Sequence, residues 1–139
     1  INRRAPSDPL YFLLENPRKL ERNTIDGLWV RIIDIKKLLE SREYNYKGKI
    51  IIELTGQNQP DIEGIYELET DGKISEVKKV KSKPDVIMRP SDLSSCYFGA
   101  VSAYELFQAG NIEFNRNNLI KDFSNMFSVT KKPWCNTDF

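Results

Sequence analysis

The residues best placed to do chemistry stand at the end of the chain: Pro133, Trp134, Cys135, Asn136, Thr137, Asp138 and Phe139. The last two put a pair of carboxylates on neighbouring residues, the Asp138 side chain and the α-carboxylate of Phe139. Unanchored ends gain nothing from apolar surface. An ending with Trp134 and Phe139 reads as one built to pack, which would hold the terminal carboxylate at a fixed point, where it can be a reagent. The same residues also read as a plain disordered end. The chain contains no histidine. That removes the Ser-His-Asp triad, the Cys-His dyad and every His-based metal site together. Acid–base chemistry is left to carboxylates, Tyr, Lys, Cys and the chain termini.

Other side chains with chemical potential have plainer readings. Cys96 and Cys135 stand far apart in no metal-ligand spacing, so no metal site is expected, and both read as small buried hydrophobes with reduced thiols in a cytoplasmic setting. Tyr97 and Tyr104 sit at helical spacings that suit packing, and Trp134 reads as a core or interface anchor. Arg31, inside an apolar run, reads either as a buried ion-pair partner or as an edge residue. Lys73, Lys78, Lys79, Lys81 and Lys83 crowd together with no interleaved aromatic for base stacking, and read as a solvated strand face that discourages edge pairing. Lys and Arg total 21 against 20 for Asp and Glu, a balance that argues against a nucleic-acid partner. No signal peptide and no apolar run of the roughly 20 residues that cross a bilayer is present, so no membrane partner is expected. The opening Ile1-Asn2-Arg3-Arg4 lacks an initiator Met, as expected of a segment of something longer, although processing or cloning would also account for it.

These residues need a scaffold, and hydropathy patterning predicts one. Asp8 and Pro9 open a short helix that Asn16-Pro17 ends. Residues 28–33, rich in β-branched and aromatic side chains, predict a strand. Asp34 caps a helix whose Ile35, Leu38 and Leu39 share a face. Residues 50–55 and 65–69 alternate as strands, and Asp71-Gly72 predicts a two-residue type I′ hairpin leading into a strand over 74–80 with a bulge. Residues 85–89 give a further short strand. Ser91 caps a helix closed near Gly99, Ser102 and Glu105 form a capping box on another, and Asn117 or Asn118 opens a last helix with Leu119, Ile120, Phe123, Met126 and Phe127 on one stripe. The pattern predicts an α+β fold: a mixed, mostly antiparallel sheet with helices mainly on one face. Residues 1–27 differ in composition and read as a linker; the domain proper is 28–139.

The order of these segments resembles a known family. Leu28-Trp29-Val30-Arg31-Ile32-Ile33-Asp34, a helix, a hairpin, Pro90-Ser91-Asp92-Leu93, a helix through Tyr97-Phe98-Gly99 and the closing Pro133-Trp134-Cys135 are similar to the C-terminal region of enhanced intracellular survival (Eis) type acetyltransferases. The resemblance implies a sterol-carrier-protein-like domain, with residues 1–27 the end of a preceding GNAT-like domain. It implies a parent protein that is an acetyl-CoA-dependent N-acetyltransferase acting on a small-molecule amine, homo-oligomeric in full length, with the N-terminal GNAT domains as partners and acetyl-CoA bound there rather than in this segment. Carried onto this chain, the terminal carboxylate of Phe139 takes the role of base toward the substrate amine, and Asp138 takes the place of an acid that contacts a cationic substrate, with a shorter reach than the Glu of some relatives. A terminal carboxylate with pKa near ~3.5 is a weak base, so the role requires burial beside another acid, or water as intermediary. The alternative is a lipid- or acyl-binding module without catalysis, which needs an apolar tunnel; Phe98, Phe107, Phe123, Met126 and Phe127 are available to fill one.

Overall fold

The computed structural model describes residues 4–25, 27–56 and 59–136. Five strands are present among them: β1 (Gly48–Leu54), β2 (Gly64–Thr70), β3 (Ser75–Lys79), β4 (Val86–Met88) and β5 (Ile112–Phe114). They form one sheet in the order β3-β2-β1-β4-β5. Every neighbouring pair is antiparallel except β1 with β4.

The period-two alternation read from the sequence sets which side of the sheet is buried. Ile50 lies opposite Leu68, which lies opposite Val77; Ile52 lies between Tyr66 and Val86; Leu54 lies beside Met88, and Met88 opposite Ile112. All of these are buried. Of the residues between them, Lys49, Glu53, Glu67, Lys78 and Glu113 carry charge, with Ile51 and Ile87 half-buried among them. On the outer face Lys49 Nζ lies 3.0 Å from Glu67 and 3.5 Å from Glu69. A sheet with one charged face must cover its other face, and the helices do so.

After α1 (Leu10–Leu13), which buries no residue, those helices are α2 (Ile35–Glu40), α3 (Pro90–Phe98), α4 (Ala103–Gln108) and α5 (Leu119–Met126). Asp34 accepts a hydrogen bond from the Lys37 N–H at 3.0 Å at the start of α2, and this bond holds its carboxyl below the usual Asp range. The capping box on α4 is complete: Ser102 Oγ accepts from Glu105 N–H, and the Glu105 carboxylate accepts from Ser102 N–H. The stripe on α5 buries Leu119, Phe123 and Met126, with Phe127 just past its end. The Phe123 ring is 5.5 Å from that of Phe114 and 4.9 Å from that of Phe127, within the range of favourable aromatic contact. One apolar core results, shared by the sheet and α2 to α5.

Four local expectations are corrected. Residues 28–33 form no strand; only Ile32 is buried, whereas Leu28, Trp29, Val30 and Ile33 are exposed, because no described strand pairs with them. The hairpin loop is four residues, 71–74, rather than two. Asp71 Oδ1 accepts from both Lys73 and Ile74 N–H at 2.8 Å, so its side chain, not a type I′ turn, organises the reversal. The β2–β3 register then runs one to one without a bulge. Ser91 lies inside α3, which starts at Pro90 with Arg89 as its cap residue, the proline needing no N–H partner.

Because Phe123 is fully buried and touches two other rings, a Phe123→Ala substitution is expected to cost about 3–5 kcal/mol, read as a lower denaturation midpoint in urea. A loss under 1 kcal/mol would show that α5 is not a core element.

Candidate functional site at the C-terminal tail

After α5 the chain has no further helix or strand among its described residues, yet its course is fixed at three points. The first is Arg42, in the loop after α2. Its guanidinium donates to the carbonyls of Tyr97 and Ser128, the latter at 3.2 Å. The same group lies 5.2 Å from the Tyr97 ring, 5.7 Å from Phe127 and 5.8 Å from Tyr44. Cation–π attraction to one ring is worth about 0.5–2 kcal/mol, and here three rings share one cation. Burial pushes the Tyr44 phenol well above its ordinary pKa, so it stays neutral and donates to the Leu39 carbonyl at 2.8 Å.

The second point is Gly99, the left-handed residue that closes α3 at φ 75°. A Cβ there would lie 2.3 Å from Val129 Cγ2, so Val129 rests on bare backbone. The third is Gly27. A Cβ on it would sit 3.2 Å from the Cβ of Cys135, which places the tail directly against the start of the exposed 28–33 segment.

Each residue singled out from the sequence has a definite place. Cys96 is buried, and desolvation, with the Asp92 carboxylate nearby, pushes its thiol up to about 12, which leaves it no nucleophile. Asp92 is itself a buried carboxylate held by two hydrogen bonds from Arg89, at 2.7 and 3.1 Å. Cys135 is half-buried against Gly27. Tyr97 packs, donating to the Leu38 carbonyl at 2.8 Å, whereas Tyr104 is half exposed. Trp134 is 51% exposed and is no core anchor, and Arg31 is exposed rather than buried in an ion pair. Asp138 and Phe139 lie outside the described residues. The lysines of β3 lie on an edge strand, as expected. Among the described residues no group of acidic, Cys or His side chains is placed to hold a metal, and no helix is long and apolar enough to cross a membrane.

Sequence reasoning missed Arg42, Gly99 and Gly27 as the tail's three supports. Arg42 near Tyr44 was a weak signal. The approaches of Val129 and Cys135 have no local signature, since each joins residues far apart in the chain. The space that a lipid tail would need between sheet and helices is occupied by Phe123, Met126 and Phe127. Two open surface hollows lie elsewhere, among Glu43, Lys47 and Asp71 and among Glu15, Arg18 and Lys19. Phosphates favour helix N-termini with open N–H groups; Asp34 caps α2 and Ser102 with Glu105 caps α4, whereas α3 and α5 start without a side-chain cap.

This fold is a one-sided α+β layer. The chain belongs to the sterol carrier protein domain family, which matches residues 35–136. It is also similar to proteins described as uncharacterized N-acetyltransferases, one from Streptomyces avermitilis at 28% identity over 133 residues and one from Streptomyces griseus at 26% over 136. Each match takes in 95% of this chain and 32% of the relative, so the chain spans about a third of their length. The crystal structure of Eis1 from Mycobacterium abscessus superposes with a TM-score of 0.80 at 25% identity, over 98% of this chain and 34% of that one. A GCN5-related N-acetyltransferase from Anabaena variabilis shares the fold, with a TM-score of 0.66 at 20% identity, over 73% of this chain and 26% of its own.

If Gly99 and Arg42 pin the tail, Gly99→Ala should destabilise the chain by at least the ~1–2 kcal/mol of a left-handed non-glycine residue. It should also speed hydrogen exchange over residues 128–136, and Arg42→Ala should do the same. Unchanged exchange in both variants would show that the tail is not held there.

Proposed function

We propose that this chain is the acceptor-side, C-terminal part of an acetyl-CoA-dependent N-acetyltransferase, with residues 1–27 leading in from a preceding GNAT-like domain and 28–139 forming the sterol-carrier-like domain. The observation that carries the reading is the pinned tail. A segment that only trails needs no arginine clasp at Ser128 and no glycine platforms under Val129 and Cys135. Support also comes from relatives described as N-acetyltransferases and from the superposition on Eis1.

In this reading the tail delivers two carboxylates to the acceptor amine. An alkylammonium is drawn in by the negative charge of Asp138 and of the Phe139 terminus. Its nitrogen must lose a proton before it can attack a thioester, and the terminal carboxylate accepts that proton directly or through water. Holding the amine in line is a separate gain that needs no proton transfer. Acetyl-CoA is held by the other part of the longer protein, which also supplies the general acid. That protein is a cytoplasmic homo-oligomer.

Deleting Phe139 from the full-length protein is expected to cut turnover at least ~100-fold, the scale of a lost general base, with an unchanged melting temperature. Undiminished turnover would refute the carboxylate's role. Titrating acetyl-CoA into the 139-residue chain in a calorimeter is expected to give no heat of binding. Micromolar affinity would move the cofactor site into this chain.

A further inference from the structure

Eight of the thirteen large apolar side chains exposed among the described residues precede residue 34: Phe12, Leu13, Leu14, Ile25, Leu28, Trp29, Val30 and Ile33. Only Ile32 in that stretch joins the core. A solvated loop has no use for such a series, and contiguous exposed apolar surface marks an interaction site. Residues 28–33 are its densest part. In an extended chain Leu28, Val30 and Ile32 point to one side and Trp29, Arg31 and Ile33 to the other. Apolar side chains on both sides are the mark of a strand covered on both faces, yet no described strand pairs with this one. It therefore has the composition of an interior strand, yet lacks a sheet and leaves all its apolar side chains but Ile32 uncovered.

We propose that residues 28–33 complete a strand on a sheet edge of the acetyltransferase part of the same polypeptide, the part that precedes this chain, with Trp29 as the buried anchor. The proposal rests on the function proposed above and specifies its partner surface. Three observations favour this occupant over a second copy or an unrelated protein. The sterol carrier family match begins at residue 35, immediately after the exposed segment, so the segment lies outside that domain's own pattern. The matches to much longer N-acetyltransferases nevertheless take in 95% of this chain, which reaches well into the residues before 35. The superposition on Eis1 takes in 98% of this chain but only 34% of that one, so a chain with this segment in place continues for twice as much again.

Docking of the segment also has a consequence for the tail. Cys135 lies on Gly27, the residue next to the docking strand. Four residues follow Cys135, and a fully extended chain spans at most about 3.6 Å per residue. The terminal carboxylate is thereby tethered within about 14 Å of the new interface.

Hydrogen exchange tests this without any activity readout. In the 139-residue chain, the amides of 28–33 are expected to exchange at the rate of an open chain. In the full-length gene product they are expected to be slowed at least ~100-fold, as paired strands are. Equal exchange in the two overturns the proposal. Protection that already appears in the 139-residue chain and grows with its concentration also overturns it, in favour of a second copy. Trp29→Asp is a second arm. It should leave the melting temperature of the 139-residue chain unchanged, because Trp29 is 86% exposed there, and should lower that of the full-length protein. No change in either overturns the docking. A failed docking leaves the Phe139 deletion result standing, and a failed deletion leaves the exchange result standing, so the two readings fail separately.

Discussion

One-sided burial of the sheet is the constraint from which the rest of this structure follows. The outer face carries Lys49 between Glu67 and Glu69, with Glu76 and Lys78 paired at 3.0 Å on the edge strand. Desolvating those charges costs several kcal/mol apiece, so nothing apolar can settle there without displacing them. Every covering helix is then forced to the inner face, and α2 to α5 share one core with it. The last helix, α5, fills that core with Phe123, Met126 and Phe127, and the chain leaves from the helix side of the molecule. The tail starts where it does because the sheet has only one side to offer.

Arg42 turns that exit point into a defined direction. Its two carbonyl partners, Tyr97 and Ser128, belong to the last turn of α3 and to the residues just past α5. Helix C-termini carry unsatisfied carbonyls and a partial negative charge, which a guanidinium satisfies on both counts. One cation thus ties two helix ends together, with three aromatic faces packed around it. A lysine would supply the charge but not the planar fork that reaches two carbonyls at once. Gly99 completes the arrangement, since Val129 can lie on α3's end only where no Cβ intrudes.

Much of this fold was legible in the sequence, and the boundary is physical. Signals that depend on neighbours within a few residues were read correctly: the Asp34 cap, the Ser102–Glu105 box, Gly99 as a helix stop and the α5 stripe all report local geometry. Strands β1 and β2 were legible because alternation records a one-sided sheet. Segment 28–33 misled because strand propensity describes a surface on which a side chain would fit, and says nothing of whether a partner is present. The hairpin loop misled because Asp71's side chain bonds compete with the turn that Asp-Gly alone would favour. At the candidate site, the sequence pointed to the tail, but the supports under it join residues tens of positions apart and leave no spacing to read.

The tail and the exposed segment are better understood together than apart. A carboxylate in water is a poor base for an alkylammonium, because its ordinary pKa lies far below that of the amine. Burial raises a carboxyl pKa, and a second carboxylate nearby raises it further. The described part of the tail offers no such burial: Trp134 is half exposed and Asn136 is open to solvent. In the proposed function that burial comes from the preceding part of the polypeptide. The residues that call for such surface, Leu28, Trp29 and Val30, begin beside the glycine on which Cys135 rests. Whatever covers them also excludes water from the neighbourhood of the tail. In the proposed function the exposed segment 28–33 and the terminal acids make the same demand on a partner, one for burial and the other for basicity, and the Gly27–Cys135 contact is where the two demands meet.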